Sequence, residues 1–191
     1  MIAGIDEAGR GPVIGPLVIG LVLAKNDQLK KLQKLGVDDS KKLSISKRTM
    51  LSQIIMENGL KKIIQPIKSK ITFLQIDKMG GNDFADRFKD DIEGKIICEV
   101  KGDSKYIAIG AASILAKVER DKIINMISKH AKQKDPELPP MGSGYPNDEY
   151  TIKFLEAYFE KYHQFENYVR KSWGTISNLT DRLSQSNLDD F

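Results

Sequence analysis

The sequence predicts helices packed on a central sheet, an α/β or α+β sandwich. Three observations predict it. Strand-like segments fall early in the chain and helix-like segments late. Two apolar stretches near the start, 2–5 and 13–24, are joined by a Gly-rich turn. The clearest helical pattern, over 107–132, spaces Ile107, Ala111, Ile114, Leu115, Val118 and Ile123 for one face. Gly110, Ala111 and Ala112 are small, so that end of the helix can lie close to a sheet.

The remaining elements follow in order. Residues 28–35 make a short helix. Residues 46–57 make a longer one, with Ser46 as its N-cap and Gly59 as its stop. Two Ile-rich segments, 60–67 and 71–76, read as strands, 83–91 as a short helix and 96–100 as another strand. After the long helix, Pro136, Pro139 and Pro140 impose a loop. Residues 148–161 then form a helix with an aromatic face, and 175–183 a last helix.

Composition bounds the class. A chain of 191 residues, 40% hydrophobic and 29% charged, suffices for one domain with no disulfide or metal staple. Its one cysteine, Cys98, excludes an internal disulfide framework and fits a reducing compartment. The net charge of +4 permits nucleic-acid binding without establishing it. The longest apolar stretch, 13–24, is interrupted by Gly15, Pro16 and Gly20, so no membrane span is expected. The first residues lack a basic region before their apolar run, so a cytoplasmic protein is expected.

Carboxylates carry the chemistry. Asp6 and Glu7 follow an apolar strand start and precede Gly9, Arg10 and Gly11. Side by side they repel, and burying them calls for an arginine or a metal. Neighbouring strand residues point to opposite faces, so both face one site only if the strand ends or kinks there, as the glycines permit. A solvated turn is the alternative. No Gly-Lys-Ser/Thr follows, which excludes a phosphate loop of the NTPase kind. Asp77 and Asp103 also follow apolar strands, so the carboxylates would converge on one sheet edge. Four hard oxygen donors suit Mg²⁺ or Mn²⁺. Two histidines and one cysteine, far apart in sequence, speak against zinc.

Here a resemblance becomes specific. Asp6-Glu7-Ala8-Gly9-Arg10-Gly11-Pro12 resembles the opening signature of the ribonuclease HII family, the type 2 ribonucleases H. The segments 39–44, 101–104, 111–118 with Arg120-Asp121, 144–146 and Val169-Arg170-Lys171-Ser172-Trp173 resemble later motifs of that family, in order. Arg10 favours it over the type 3 relative, which usually has lysine there, and the last motif looks archaeal or eukaryotic.

The resemblance implies an α/β fold, a ribonuclease H-like mixed central sheet flanked by helices with a helical C-terminal part. It implies a catalytic domain over 1–133, a loop and helical part over 134–184 packed on it, and a tail over 185–191. It implies Asp6, Glu7, Asp77 and Asp103 as catalytic metal ligands, with two Mg²⁺ or Mn²⁺ ions in the substrate complex. Gly9, Arg10 and Gly11 would contact the ribonucleotide's 2′-hydroxyl and phosphate, and Tyr145 would stack on the next sugar. Lys41 and Lys42, otherwise ordinary surface charge, become phosphate contacts. The implied activity is endonucleolytic cleavage of the RNA strand of RNA–DNA hybrids and of single ribonucleotides in duplex DNA, leaving 5′-phosphate and 3′-hydroxyl ends. A monomer is expected. The competing class is a non-catalytic nucleic-acid binder, against which the four retained carboxylates argue.

Other residues read as structural. Asp121 sits four after Lys117, a helical ion-pair spacing. Trp173, Phe154, Tyr158 and Phe159 read as core, Cys98 as a small buried hydrophobe, His130 as surface and His163 as non-catalytic. Gln185, Leu188 and Phe191 resemble a sliding-clamp-binding box with one aromatic instead of two; a polar disordered tail is the alternative. One departure stands out. The family places a crossover helix between its third and fourth strands, but only Lys68, Ser69 and Lys70 separate the two segments here. Three strand steps span about 14 Å, beyond the reach of a three-residue link that must also return along the sheet.

Overall fold

In the computed structural model, residues 1–59, 71–78 and 94–189 are described. The strand expected over 60–67, the helix expected over 83–91, the short link at 68–70 and Phe191 lie outside them. Contacts divide the chain into two units: residues 1–8 with 18–119, and residues 9–17 with 120 onward. The segment 9–17 packs with the C-terminal helices, and the division falls within the long helix over 107–134.

The first unit carries a four-stranded sheet in the order β2-β1-β3-β4. β1 (Ile2–Ala8) pairs antiparallel with β2 (Val18–Ala24), and parallel with β3 (Phe73–Asp77), which pairs parallel with β4 (Lys95–Glu99). The sheet is therefore mixed, as expected. β1 is longer than its apolar start: Asp6, Glu7 and Ala8 pair with Gly20, Ile19 and Val18. β2 begins five residues later than expected. Pro16 has no N–H to give a ladder, and the amides of Val13 and Ile14 bond instead to the Gly144 carbonyl, at 2.8 and 3.1 Å.

Helices α1 (Asn26–Lys34), α2 (Ile45–Gly59) and the first half of α3 (Ile107–Lys134) supply this unit's main core. Leu29, Leu32, Leu51 and Ile55 bury there with Val22, Ala24, Ala108, Ala112 and Ile114. α3 approaches the sheet at two glycines. A Cβ on Gly4 would lie 2.1 Å from the Ala108 carbonyl carbon, and one on Gly20 2.2 Å from the Ala112 carbonyl oxygen. The opposite face buries Ala3, Leu74 and Ile76, with Cys98 against them only half-buried, which corrects its expected full burial. The α2 cap is Ser44, not Ser46: its hydroxyl accepts the Lys47 amide at 3.3 Å. Ser44 precedes the first helical residue, where a side-chain oxygen reaches the third helical amide.

The second unit packs α4 (Glu149–Tyr162), α5 (Gly174–Asp189), the rest of α3 and residues 9–17 around Val13, Ile14, Phe154, Leu155, Tyr158 and Ile176. Trp173 and Phe159 pack against that core, as expected, and His130 and His163 are exposed. Asp148 caps α4 through the Tyr150 amide. α5 continues to Asp189, past the expected 183, so Gln185 and Leu188 are helical rather than in a loose tail. No Gly or Pro follows Leu183 to stop the helix.

Candidate active site

The first unit brings three of the four predicted carboxylates to one sheet edge. Ile5 pairs with Ile76, and the next residue on each strand is an aspartate, Asp6 and Asp77. Asp103 lies in the 3₁₀ turn Gly102–Ser104 just past β4. These are the C-terminal ends of parallel strands, where side chains converge without crossing the sheet. The Asp77 carboxylate accepts the Gly102 amide at 2.6 Å, which fastens the turn holding Asp103 to the end of β3. Glu99 holds the other side of that turn, accepting from Lys105 at 2.5 Å and from the Tyr106 hydroxyl at 2.6 Å.

Asp6 is buried, and burial pushes its pKa up to about 7. The Ser113 hydroxyl and the Glu7 amide oppose that rise, while the charges of Asp77 and Glu7 add to it. Burial also raises Asp103, helped by the charges of Asp39 and Asp77. Glu7 follows Asp6 on β1, whose pairing with β2 continues to Ala8, and its charge adds to the rise at Asp6.

The turn Ser40–Lys42 belongs to the same neighbourhood. The Ser40 hydroxyl is 2.9 Å from the Ser113 hydroxyl, which in turn bonds Asp6. Arg48 donates to the carbonyls of Ser40 and Leu43, both at 2.8 Å, and fixes the turn from below. Lys41 and Lys42 are exposed, and Lys42 meets Asp38 at 3.3 Å. Asp39 and Lys41 both act electrostatically on Asp103. Sequence reasoning gave Ser113 and Asp39 no role. The available signal for Ser113 was a hydroxyl on the small, apolar face of α3.

Among the described residues, no three His, Cys, Asp or Glu side chains form a group that could hold a metal ion. The donor chemistry of the edge still fits a hard divalent cation. Its candidate donors are all oxygen, and two of them, Asp6 and Asp103, are held toward the protonated form by burial and by the charge of Asp77. A cation relieves both costs at once.

The second unit carries the other predicted set. Gly9 is buried with φ +96°, a left-handed conformation that excludes ordinary side chains, and Arg10 and Gly11 are exposed. The Tyr145 ring stands 3.5 Å from where Gly11 would carry a Cβ and is 38% exposed, open to a stacking partner. Below this loop, the Gly144 amide donates to the buried Thr151 hydroxyl at 2.9 Å, and Thr151 donates to the Met141 carbonyl at 3.1 Å. Asp148 accepts from the Ser143 amide and hydroxyl, both at 2.6 Å, and these bonds lower its pKa. Tyr145 is thus presented by a turn anchored on the first residues of α4.

Comparison with known proteins finds relatives along the whole chain. A family model described as Ribonuclease HII matches residues 3–82 and 56–176, so both matched stretches share 56–82. A curated Ribonuclease HII of Thermococcus sibiricus is 38% identical over 225 aligned positions, covering 100% of this chain and 97% of the relative. A crystal structure of ribonuclease H2 from Pyrococcus horikoshii OT3 superposes with a TM-score of 0.79 at 31% identity, covering 96% of this chain and 99% of that one. A structure of a PCNA:RNase HII complex from Archaeoglobus fulgidus gives 0.74 at 32% identity, with both chains fully covered.

Proposed function

The chain belongs to the ribonuclease HII family, and from that premise we propose how its residues do the family's work. It is a ribonuclease H, an endonuclease that hydrolyses phosphodiester bonds. Its substrates are the RNA strand of RNA–DNA hybrids and single ribonucleotides in duplex DNA. The products carry 5′-phosphate and 3′-hydroxyl ends. The observation that carries this reading is the placement of Asp6, Asp77 and Asp103 at the ends of parallel strands on one sheet edge.

Asp6, Glu7, Asp77 and Asp103 would hold two Mg²⁺ or Mn²⁺ ions, whose chemistry would be activation of the attacking water and stabilisation of the leaving 3′-oxygen. Asp6 sheds its proton to serve as a ligand, and Ser113 keeps its carboxylate oriented. Gly102, through its amide, keeps Asp77 from turning away. The Gly9–Arg10–Gly11 amides and the Arg10 side chain receive the ribonucleotide's 2′-hydroxyl and phosphate, the hydroxyl being what separates RNA from DNA. Tyr145 stacks on the sugar that follows, and Lys41 and Lys42 contact phosphates farther along. The enzyme works as a cytoplasmic monomer. Gln185, Leu188 and Phe191 dock on a sliding clamp, a reading supported by the PCNA complex of the Archaeoglobus relative.

The test is a duplex carrying one ribonucleotide, incubated with Mg²⁺, Mn²⁺ or chelator. A metal-dependent cut on the 5′ side of the ribonucleotide supports the reading; no cut with either metal overturns it. Clamp docking is tested apart, by pull-down with and without residues 185–191, where equal recovery overturns it.

A further inference from the structure

The family reading leaves two arginines of the second unit without a role. Arg120 is 2% exposed, and Arg170 is half-buried. Neither forms an ion pair among the described residues. Arg170 spends its whole guanidinium on one loop. Nη2 donates to the Gly9 carbonyl at 2.6 Å, Nη1 to that of Arg10 at 3.1 Å, and Nε to that of Gly15 at 3.1 Å. Its own backbone amide donates to Val13 at 2.9 Å, and Trp173 lies 5.3 Å beneath the guanidinium.

This bonding fixes more than position. No described peptide is cis. In a trans peptide the N–H points opposite to the carbonyl. With the carbonyls of Gly9 and Arg10 both turned onto Arg170, the amides of Arg10 and Gly11 both turn away from it. Two successive N–H groups on one side make a concave donor site for an anion or a hydroxyl.

Arg120 works from beneath. A Cβ on Gly9 would lie 2.5 Å from its Nε, so the guanidinium fills the space under Gly9. Nη2 donates to the Ile14 carbonyl at 3.2 Å, and the guanidinium lies 5.5 Å from the centre of the Tyr145 ring. Nε is buried with no hydrogen-bond partner. One side chain therefore backs both Gly9 and Tyr145.

We propose that Arg170 and Arg120 are positioning residues for ribonucleotide recognition. Arg170 aims the Arg10 and Gly11 amides, and Arg120 sets the spacing between Gly9 and Tyr145. Lysine cannot replace arginine at either place, because one ammonium cannot bridge three carbonyls or lie flat on a ring. The inference rests on the reading that this loop and Tyr145 receive the ribonucleotide.

The experiment uses the full chain with Arg170→Lys and Arg120→Gln. Fluorescence anisotropy compares a duplex carrying one ribonucleotide with the same all-DNA duplex, and steady-state cleavage gives KM and kcat. The wild type prefers the ribonucleotide duplex. Each variant loses roughly tenfold of that preference, with a matching rise in KM, while all-DNA binding stays within about twofold. Melting temperature is followed alongside, and each variant is judged by itself. Either variant keeping the wild-type preference overturns its role, as does an equal loss on both duplexes. A wild type without preference overturns the recognition reading itself, and this inference with it.

Discussion

The carboxylate edge of the first unit and the arginine-held loop of the second are opposite solutions to presenting polar groups. At the edge, like charges are brought together by the ends of parallel strands and kept there mainly by backbone amides and hydroxyls: Gly102 on Asp77, Ser113 on Asp6, Ser104 on Asp103. In the loop, positive side chains lie inside and neutral backbone is drawn onto them. The edge tolerates electrostatic stress and keeps its geometry through regular secondary structure. The loop lies outside the sheet and takes its geometry from two arginine side chains, together with backbone bonds to Gly144, Tyr168 and Arg170. Losing charge at the edge should therefore cost activity and spare the fold. Changing the loop should cost both.

The largest effect tests the first half of that contrast. Asp6→Asn should lower Mg²⁺-dependent cleavage by at least about a thousandfold. Its melting temperature should stay the same or rise, since repulsion from Asp77 and Glu7 is removed. Full cleavage by this variant would break the assignment of the edge. Gly9→Ala tests the second half. The new methyl meets Arg120 and Pro16 at 2.5 Å in a backbone conformation alanine resists, at a cost of about 1–3 kcal/mol. Calorimetry should show a lower melting temperature, and KM for a ribonucleotide duplex should rise at the same time. A drop in activity at wild-type stability would blur the contrast.

Asp148→Ala reaches the loop one step removed. It removes the α4 cap and both bonds to Ser143, and should cost about 1 kcal/mol by urea unfolding at pH 7. The folded-state pKa of Asp148 lies below its ordinary value, so its contribution is complete above that ordinary value. It fades as pH falls through the lowered folded-state pKa, and the wild type and variant should converge there. A difference that persists in acid would mean the carboxylate is not the source. The smallest effect is that of Lys41→Ala with Lys42→Ala, which should raise KM a few-fold, shrinking with added salt, and leave kcat alone.

Legibility in the sequence followed the same divide. Asp6, Glu7, Asp103 and the Gly9–Arg10–Gly11 turn were readable because each lies in a short contiguous motif. The mixed sheet was readable from apolar runs ending in carboxylates. Residues 13–17 were misread as strand because Val13 and Ile14 are apolar, yet their amides are taken by Gly144, more than a hundred positions away. The N-cap lies two residues before the expected Ser46 because Ser44 and Ser46 offer the same chemistry, and only geometry selects between them. The parts played by Arg120 and Arg170 had no local signature, since their partners lie 106 to 161 residues away.

The bond from the Gly102 amide to Asp77 has an evolutionary consequence. Asp77 takes its place from the strands beside it and from the turn that follows β4. Selection on Asp77 therefore extends to that turn, where a change of length would disturb two carboxylates at once.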